Sequence, residues 1–508
     1  MTPDPFGSNI LYYGDNLEVL RKHFPDECVD LIYLDPPFNS KADYNILFKE
    51  ASGEKSVAQI QAFSDFWHWD RVAEKTYLEI QEDPNLTEMI QFLHAHLGRN
   101  DMLAYLVMMT IRLRELHRVL KPTGALYLHC DQTASHYLKV ILDKVFGPKN
   151  FRNEIIWHYR GREKVNPLRF ATKHDVLLFY AKTEKMRINE MRIEWDRADR
   201  IKMLRRKIHT EPKTGRKWFW ETRGQSYGIK PYKRDLEEYL KKGQAYSDTW
   251  IDIPKLRGNH PERLGYPTQK PVALVERIID ATTNEGDWVL DPFCGCGTAI
   301  IAAHNKKRKW IGIDITHLAI SLIKSRLREM HVKAGKDYQI IGEPADLASA
   351  INLAKADKYQ FQWWALSLIE ARPTGQSSEN PKQGKKGADK GIDGWLTFKE
   401  SDTLNLQKIV VQVKGGENIG VGDVRDLIGT VDSRKAAMGI LITLYEPTRP
   451  MKEAAMEAEY YKSKIWGHKY PKVQLITIQE LFEGKKPIIP YTSTEGKTQD
   501  GLARWTAK

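Results

Sequence analysis

Short apolar runs alternate with amphipathic stretches along most of the chain. Asn9 to Tyr13 has the pattern of a strand, Asp15 to His23 that of a helix, and Val29 to Leu34 that of a buried strand. Downstream, Trp288 to Leu290 is followed by a helical run from Ala299 to His304 and a strand from Trp310 to Ile313. Between these blocks, Met109 to Asp131 reads as an amphipathic helix, a Lys-Pro-x-Gly turn and a strand. Alternation resumes later with an apolar helix from Phe361 to Glu370, strands at Trp395–Phe398 and Ile409–Lys414, a helix at Asp423–Thr430 and a strand at Met438–Thr443. Such alternation predicts α/β domains.

Open α/β sheets place their ligands beyond the carboxyl ends of their strands. Two motifs stand at such places: Asp35-Pro36-Pro37-Phe38 and, far downstream, Asp291-Pro292-Phe293-Cys294-Gly295-Cys296-Gly297-Thr298. Gly295 and Gly297 allow backbone N–H groups to approach an anionic group without interference from a Cβ. The helix that follows presents its N-terminus to the same place. The next strand ends at Asp314, where a carboxylate can accept from ribose hydroxyls, as in dinucleotide folds. Asp15, after the first strand, can accept from an exocyclic amine or cap the helix that follows it.

The first motif resembles the catalytic loop of amino-group DNA methyltransferases, and the second their S-adenosylmethionine loop. "MTIRLRELHRVLKPTGALYLHCD" from Met109, "KHDVLLFYAK" from Lys173 and "GYPTQKPV" from Gly265 look like segments of β-class adenine methyltransferases, and the likeness covers roughly residues 9–335. Catalytic motif before cofactor motif is the permuted order of that class. The resemblance implies a Rossmann-like methyltransferase fold with S-adenosylmethionine as cofactor and double-stranded DNA as partner. The cofactor set would be Asp15, Asp291, Phe293, Gly295, Gly297, Thr298 and Asp314, with Asp15 on its adenine and Asp291 on its ammonium.

The transfer chemistry has a physical reading. An exocyclic amine of adenine or cytosine is a poor nucleophile, because its lone pair is delocalised into the ring. Asp35 and the Pro36 carbonyl, by accepting its two hydrogens, would draw it towards sp³ geometry. Pro36 and Pro37 stiffen the turn, and Phe38 offers a face for the extruded base. Asp before Pro-Pro favours N6 of adenine over N4 of cytosine. If the permuted order holds, the strands ending at Leu34 and Leu290 must neighbour one another in one sheet.

Composition narrows the classes. The chain has 508 residues, net charge +12 and four cysteines, none in a C-x-x-C pair. Zinc is therefore not expected, and Cys294 and Cys296 read as small loop residues. No apolar run reaches the length of a membrane span and no signal peptide is apparent, so a cytoplasmic setting is expected. The positive charge fits a polyanionic partner. Basic and aromatic residues interleave between about residues 152 and 259, the expected target-recognition region, with Lys217, Trp218, Trp220, Tyr232 and Lys233 among them.

The domain scheme predicted from this pattern is a methyltransferase over 1–340, a linker or peripheral helix over 341–357, a second α/β domain over 358–490 and a tail over 491–508. The second domain resembles the Mrr-type branch of the PD-(D/E)xK nucleases, with Gly391-Ile392-Asp393-Gly394 followed by Gln412-Val413-Lys414. The likeness implies Mg²⁺ at Asp393 and Gln412, Lys414 stabilising charge at the phosphate, and Glu370 as a candidate second acid and metal ligand. It implies restriction fused to modification. Gln412 supports a hard cation less well than a carboxylate would, so a domain that only binds DNA stands as the alternative. A non-enzymatic DNA-binding protein would be expected to carry broken motifs. The reading admits a homodimer.

Overall fold

The computed structural model describes residues 4–36, 68–159, 170–193, 197–222, 230–256, 260–264, 266, 268–373, 392–399, 406–463 and 467–490. Pro37, Phe38 and Gly391 lie outside the described residues. A nine-stranded sheet forms the N-terminal part. Its strands are β1 (Asn9–Tyr13), β2 (Val29–Leu34), β3 (Leu120–Cys130), β4 (Phe151–His158), β5 (His174–Ala181), β6 (Thr249–Trp250), β7 (Trp288–Asp291), β8 (Lys309–Asp314) and β9 (Tyr338–Ile341). They lie in the order β6-β4-β5-β3-β2-β7-β8-β1-β9. β3, β2, β7, β8, β1 and β9 run parallel, whereas β5 is antiparallel to both β3 and β4.

The expected neighbours do meet. Leu31 sits beside Val289 and Ile32 beside Leu290. Both faces of the sheet are covered, which is why its central strands read as nearly continuous apolar runs. One face packs with α1 (Asn16–His23), α2 (Asp101–Val119) and α3 (Ser135–Phe146), through Leu20, Leu116 and Leu138. The other packs with α4 (Val272–Thr282), α5 (Thr298–Asn305) and α6 (His317–Glu329), through Ile278, Ile300 and Ile323.

One local expectation changes. The Lys-Pro-x-Gly segment is not a separate turn, because β3 begins at Leu120 and runs through it, with an irregularity in its pairing to β2. Gly124 permits this: a Cβ there would stand 2.9 Å from the Asp30 carbonyl.

The C-terminal part has its own sheet. Its strands are β10 (Arg372–Pro373), β11 (Gly394–Lys399), β12 (Leu406–Lys414), β13 (Met438–Thr443) and β14 (Val473–Thr477), in sequential order. β11 is antiparallel to β12, and the last three run parallel. The expected linker carries a helix, α7 (Leu347–Ala356), capped by Asp346. Its Ala350 is buried in the same cluster as Phe361, Val411 and Ile440, so α7 belongs to the C-terminal core. The helix α8 (Lys358–Leu368) contributes Phe361, Trp364, Ala365 and Leu366 to that core. It also docks on α6: Gln360 Oε1 accepts from the His317 N–H at 2.8 Å, and Arg328 pairs with Glu370 at 2.8 Å.

Gly342 fixes the outer strands. Its φ is +97°, and a Cβ there would lie 2.1 Å from the Tyr13 carbonyl oxygen. Gly342→Ala is expected to destabilise the protein by roughly 1–3 kcal/mol, read as a lowered thermal midpoint. An unchanged midpoint would show that this close approach constrains nothing.

Candidate active site

Four adjacent parallel strands end in, or one to two residues before, a carboxylate. β2 leads into Asp35, β7 ends at Asp291, β8 ends at Asp314, and β1 leads through Gly14 into Asp15. Sheet order therefore gathers residues scattered over the chain. Asp291 is 3% exposed. Burial pushes its carboxyl well above the usual range; the Phe293 N–H, donating at 3.0 Å, opposes this, and Asp35 and Asp314 add to the rise. Burial raises Asp314 to about 6, although it accepts from Thr316 N at 3.0 Å, Thr316 Oγ1 at 2.8 Å and Gly295 N at 2.9 Å.

The loop between β7 and α5 is shaped by its glycines. Gly295 has φ +48° and Gly297 φ +78°, the left-handed region. A Cβ on Gly295 would come 3.2 Å from the Tyr266 ring, and one on Gly297 2.6 Å from Ile323 Cγ1. Gly297 caps α5, so the helix N-terminus opens directly from the loop. Thr298 Oγ1 donates to the Lys270 carbonyl at 3.3 Å. Cys294 and Cys296 are buried, and burial raises both thiols.

S-adenosylmethionine, the cofactor implied by the family resemblance, fits this donor set. The N-terminus of α5 suits its carboxylate, buried Asp291 suits its ammonium, and Asp314 suits a ribose diol, while the Gly295 and Gly297 N–H groups are taken by Asp314 and by the Cys294 carbonyl. Asp15 caps α1 through the Leu17 N–H at 2.8 Å and accepts from Arg112 at 2.6 Å. Arg112 also donates to Asn16 at 2.6 Å, and Asn16 donates to the Pro292 carbonyl at 2.7 Å. The helix α2 thereby braces the glycine loop.

Asp35 has a partner that sequence reasoning missed. Lys270 Nζ donates to both its oxygens, at 2.8 and 2.6 Å. Lys270 lies in the quoted "GYPTQKPV" segment, where no periodicity marks it. Beneath Asp35 lies a second missed group. His129 Nδ1 is 3.1 Å from the Tyr33 hydroxyl and Nε2 is 3.2 Å from Asp175, which also accepts from Tyr159 at 2.9 Å. Burial and nearby Lys270 lower the His129 pKa. These side chains come from β2, β3 and β5, with Tyr159 just after β4, and floor the site with satisfied polar groups.

In the expected recognition region, a three-stranded antiparallel sheet comprises His209–Thr210, Lys217–Glu221 and Tyr232–Asp235. Its aromatics divide. Phe219 is buried with Leu236 and Tyr239, while Trp220 and Tyr232 are exposed. Trp218 stacks on His209, and Lys233 lies 4.6 Å over its ring.

At the C-terminal centre, Asp393 precedes β11. Its Oδ2 accepts from the Val413 N–H at 2.6 Å and its Oδ1 from Gln362 Nε2 at 2.9 Å. Burial raises its carboxyl to about 6. Gln412 is buried on the paired strand, and Lys414 pairs with Asp423 at 2.9 Å. Glu370 is not brought to this centre. It lies past the end of α8, paired with Arg328, whereas the side chain that α8 presents is Gln362. Helical spacing marks a face but not which end of it meets the strand. Mg²⁺ fits this set poorly: both Asp393 oxygens already accept hydrogen bonds, and the two glutamines are neutral. Among the described residues, no three His, Cys, Asp or Glu side chains cluster to hold a metal.

A Rossmann-like sheet with its transfer motif ahead of its glycine loop defines the class of fold. Residues 29–325 match the DNA methylase family model of the N6/N4 type, and the chain belongs to that family. Residues 378–483 match the model described as NACHT-associated inactive restriction endonuclease 1. The type II methyltransferase M.BamHI of Bacillus amyloliquefaciens is 29% identical over 66% of this chain and 59% of its own length. M.EcaI of Enterobacter cloacae is also 29% identical, over 44% of this chain and 57% of its own. The chain thus spans under two-thirds of these two relatives. The DNA adenine methyltransferase YhdJ of Escherichia coli (strain K12) is 26% identical over 65% of this chain and 86% of its own length. The solved PvuII DNA methyltransferase, cytosine-N4-specific, aligns over 62% of this chain and 86% of that one, at 16% identity and TM-score 0.36.

Asp314 yields a signed prediction. Its carboxyl is raised from 3.8 to about 6 in the folded protein. The native state therefore binds this proton more tightly than the unfolded chain does. The stability it contributes is lost as pH rises from about 4 through 6, and is constant above that. Asp314→Asn should gain thermal stability relative to wild type across that window, by on the order of 2 kcal/mol at pH 7. A difference in midpoint that does not vary between pH 4 and 7 would overturn this.

Proposed function

We propose that this protein transfers the methyl group of S-adenosylmethionine to an exocyclic amine in duplex DNA, with N6 of adenine as the acceptor. The observation that carries the reading is the emergence of Asp35 beside Asp291 and Asp314 from three neighbouring parallel strands. When bound, the cofactor supplies an electrophilic methyl on a sulfonium. The chain's residues do the rest. Asp35 and the Pro36 carbonyl accept the two amine hydrogens and aim the nitrogen lone pair. The nitrogen lone pair would take the methyl as its bond to sulfur breaks, with that pair left on sulfur, and the proton the nitrogen gives up would pass to Asp35. Asp35 counters the positive charge that grows on nitrogen. Orientation and exclusion of water supply most of the acceleration. Adenine rather than cytosine is supported by Asp at the head of the Pro-Pro motif and by the likeness to an adenine methyltransferase along most of that relative.

The exposed Trp220 and Tyr232, with Lys217 and Lys233 on the same small sheet, suit contact with bases and phosphates. For the C-terminal domain we infer DNA binding without cutting. Its support is the Gln362–Asp393 hydrogen bond, which sets a neutral amide where a metal site would need an acid. Metal-dependent cleavage at Asp393, Gln412 and Lys414 is the second reading, supported by their approach across paired strands.

Methyl incorporation into plasmid DNA, followed by nucleoside mass spectrometry, tests the first reading. Wild type should yield N6-methyladenine, and Asp35→Ala should lower the rate at least about 100-fold. N4-methylcytosine as the product would overturn the base assignment, and equal incorporation by Asp35→Ala would overturn the role of Asp35. For the C-terminal domain, wild type and Lys414→Ala are compared on methylated and unmethylated plasmid with Mg²⁺ or Mn²⁺. Intact plasmid throughout supports binding alone. Cutting by wild type that Lys414→Ala abolishes would establish the second reading.

A further inference from the structure

Lys270 occupies an unusual position. Its ammonium contacts both oxygens of Asp35, at 2.8 and 2.6 Å, while its carbonyl accepts from Thr298 at the head of α5. One residue thus touches the transfer carboxylate and the cofactor loop. Its place is fixed from both sides. Gln269 accepts from Leu264 N at 2.8 Å and donates to the Glu262 carbonyl at 2.7 Å, and Pro271 caps α4. The Lys270 side chain is 8% exposed and that of Asp35 15%.

This pairing conflicts with the chemistry Asp35 must perform. A carboxylate whose two oxygens both meet one ammonium is a weakened acceptor for a neutral amine. It is also a weakened counter-charge for a nitrogen turning cationic. Release of one oxygen by Lys270 would return Asp35 to full strength as acceptor and counter-charge. An anion that could draw it away is the cofactor's own carboxylate, which suits the helix N-terminus that Thr298 opens.

We propose that Lys270 is a positioning residue that exchanges between two carboxylates. It holds Asp35 until the cofactor's carboxylate draws it across, and Asp35 is then released to the target amine. The inference rests on the methyl-transfer reading and adds an order to it: cofactor first, target base second. It also explains how Asp35 and Asp291 stand near one another, since a cation present from the start offsets their repulsion.

Two measurements test it. The first needs no turnover. Binding of S-adenosylhomocysteine, which keeps the amino-acid carboxylate, is compared by calorimetry with binding of methylthioadenosine, which lacks it. Lys270→Gln should weaken the first about tenfold and the second less than about twofold. Lys270→Arg should restore most of the loss. Equal weakening of both ligands, or of neither, overturns the proposal. The second is the pH profile of methyl transfer in a single turnover. Asp35 faces Asp291, His129, Tyr33, Tyr266, Cys130 and Cys296 besides Lys270. Removing the ammonium takes away the one cation among these groups, so the acid limb of Lys270→Gln should move to higher pH. A slower variant with an unmoved limb would mark Lys270 as structural only. Wild type that binds both ligands as expected but methylates no DNA would overturn the methyl-transfer reading instead, so the two failures are distinguishable.

Discussion

The pairing of β2 with β7 is the contact on which the site depends. Val289 lies beside Leu31 and Leu290 beside Ile32, in parallel, although most of the N-terminal part separates them along the chain. Parallel direction makes both strands end at the same edge, so Asp35 and Asp291 emerge together. A slip of one residue would turn the side chains of either strand to the opposite face. Here both faces are packed, by α1 to α3 on one side and α4 to α6 on the other, so a slip would misplace Leu34, Ile32 and Leu290 at once. The long intervening chain is a lesser obstacle, since closure entropy grows only with the logarithm of loop length.

That same edge concentrates acid. Asp291 and Asp314 are both driven upward by burial, and Asp35 stands close enough to raise Asp291 further. A sheet that gathers three carboxylates at its rim is held together by what opposes them. Lys270 meets Asp35, Gly295 and Thr316 donate to Asp314, and the Phe293 N–H donates to Asp291. The arrangement is adequate for folding and well suited to a ligand that carries both an ammonium and a hydroxyl pair. Charge compensation left partly to a ligand ties binding and stability to the same groups.

The sequence made the strands legible because buried parallel strands are short, nearly continuous apolar runs. Val29–Leu34 and Met438–Thr443 have the bounds expected of them. The glycine loop was legible because left-handed backbone at Gly295 and Gly297 leaves a mark in residue type. Lys270 was not, since its meaning lies in an ion pair across 235 positions. Asp15 could be read two ways from sequence; it caps α1, as one of them has it, and it also pairs with Arg112, which the sequence did not mark. Glu370 drew notice as an acid at the end of an apolar helix, yet the amide at Gln362 is what reaches Asp393. Acidity is visible in a sequence, whereas the direction a helical side chain faces depends on which partner the helix finds.

The helix α8 reaches both parts of the chain. Consecutive residues on a helix point about 100° apart, so three of them can serve three surfaces. Gln360 accepts from His317 at the start of α6, just beyond Asp314. Phe361 packs where a Cβ on Gly415, the residue after Lys414, would come within 2.9 Å. Gln362 donates to Asp393. His317 is fully buried, and its ring stacks on Tyr13 at 3.7 Å, two residues before Asp15. Removing the C-terminal part would therefore expose the flank of the cofactor strands. The second domain is built as a wall of the first, and its helix cannot shift against one centre without disturbing its contacts at the other.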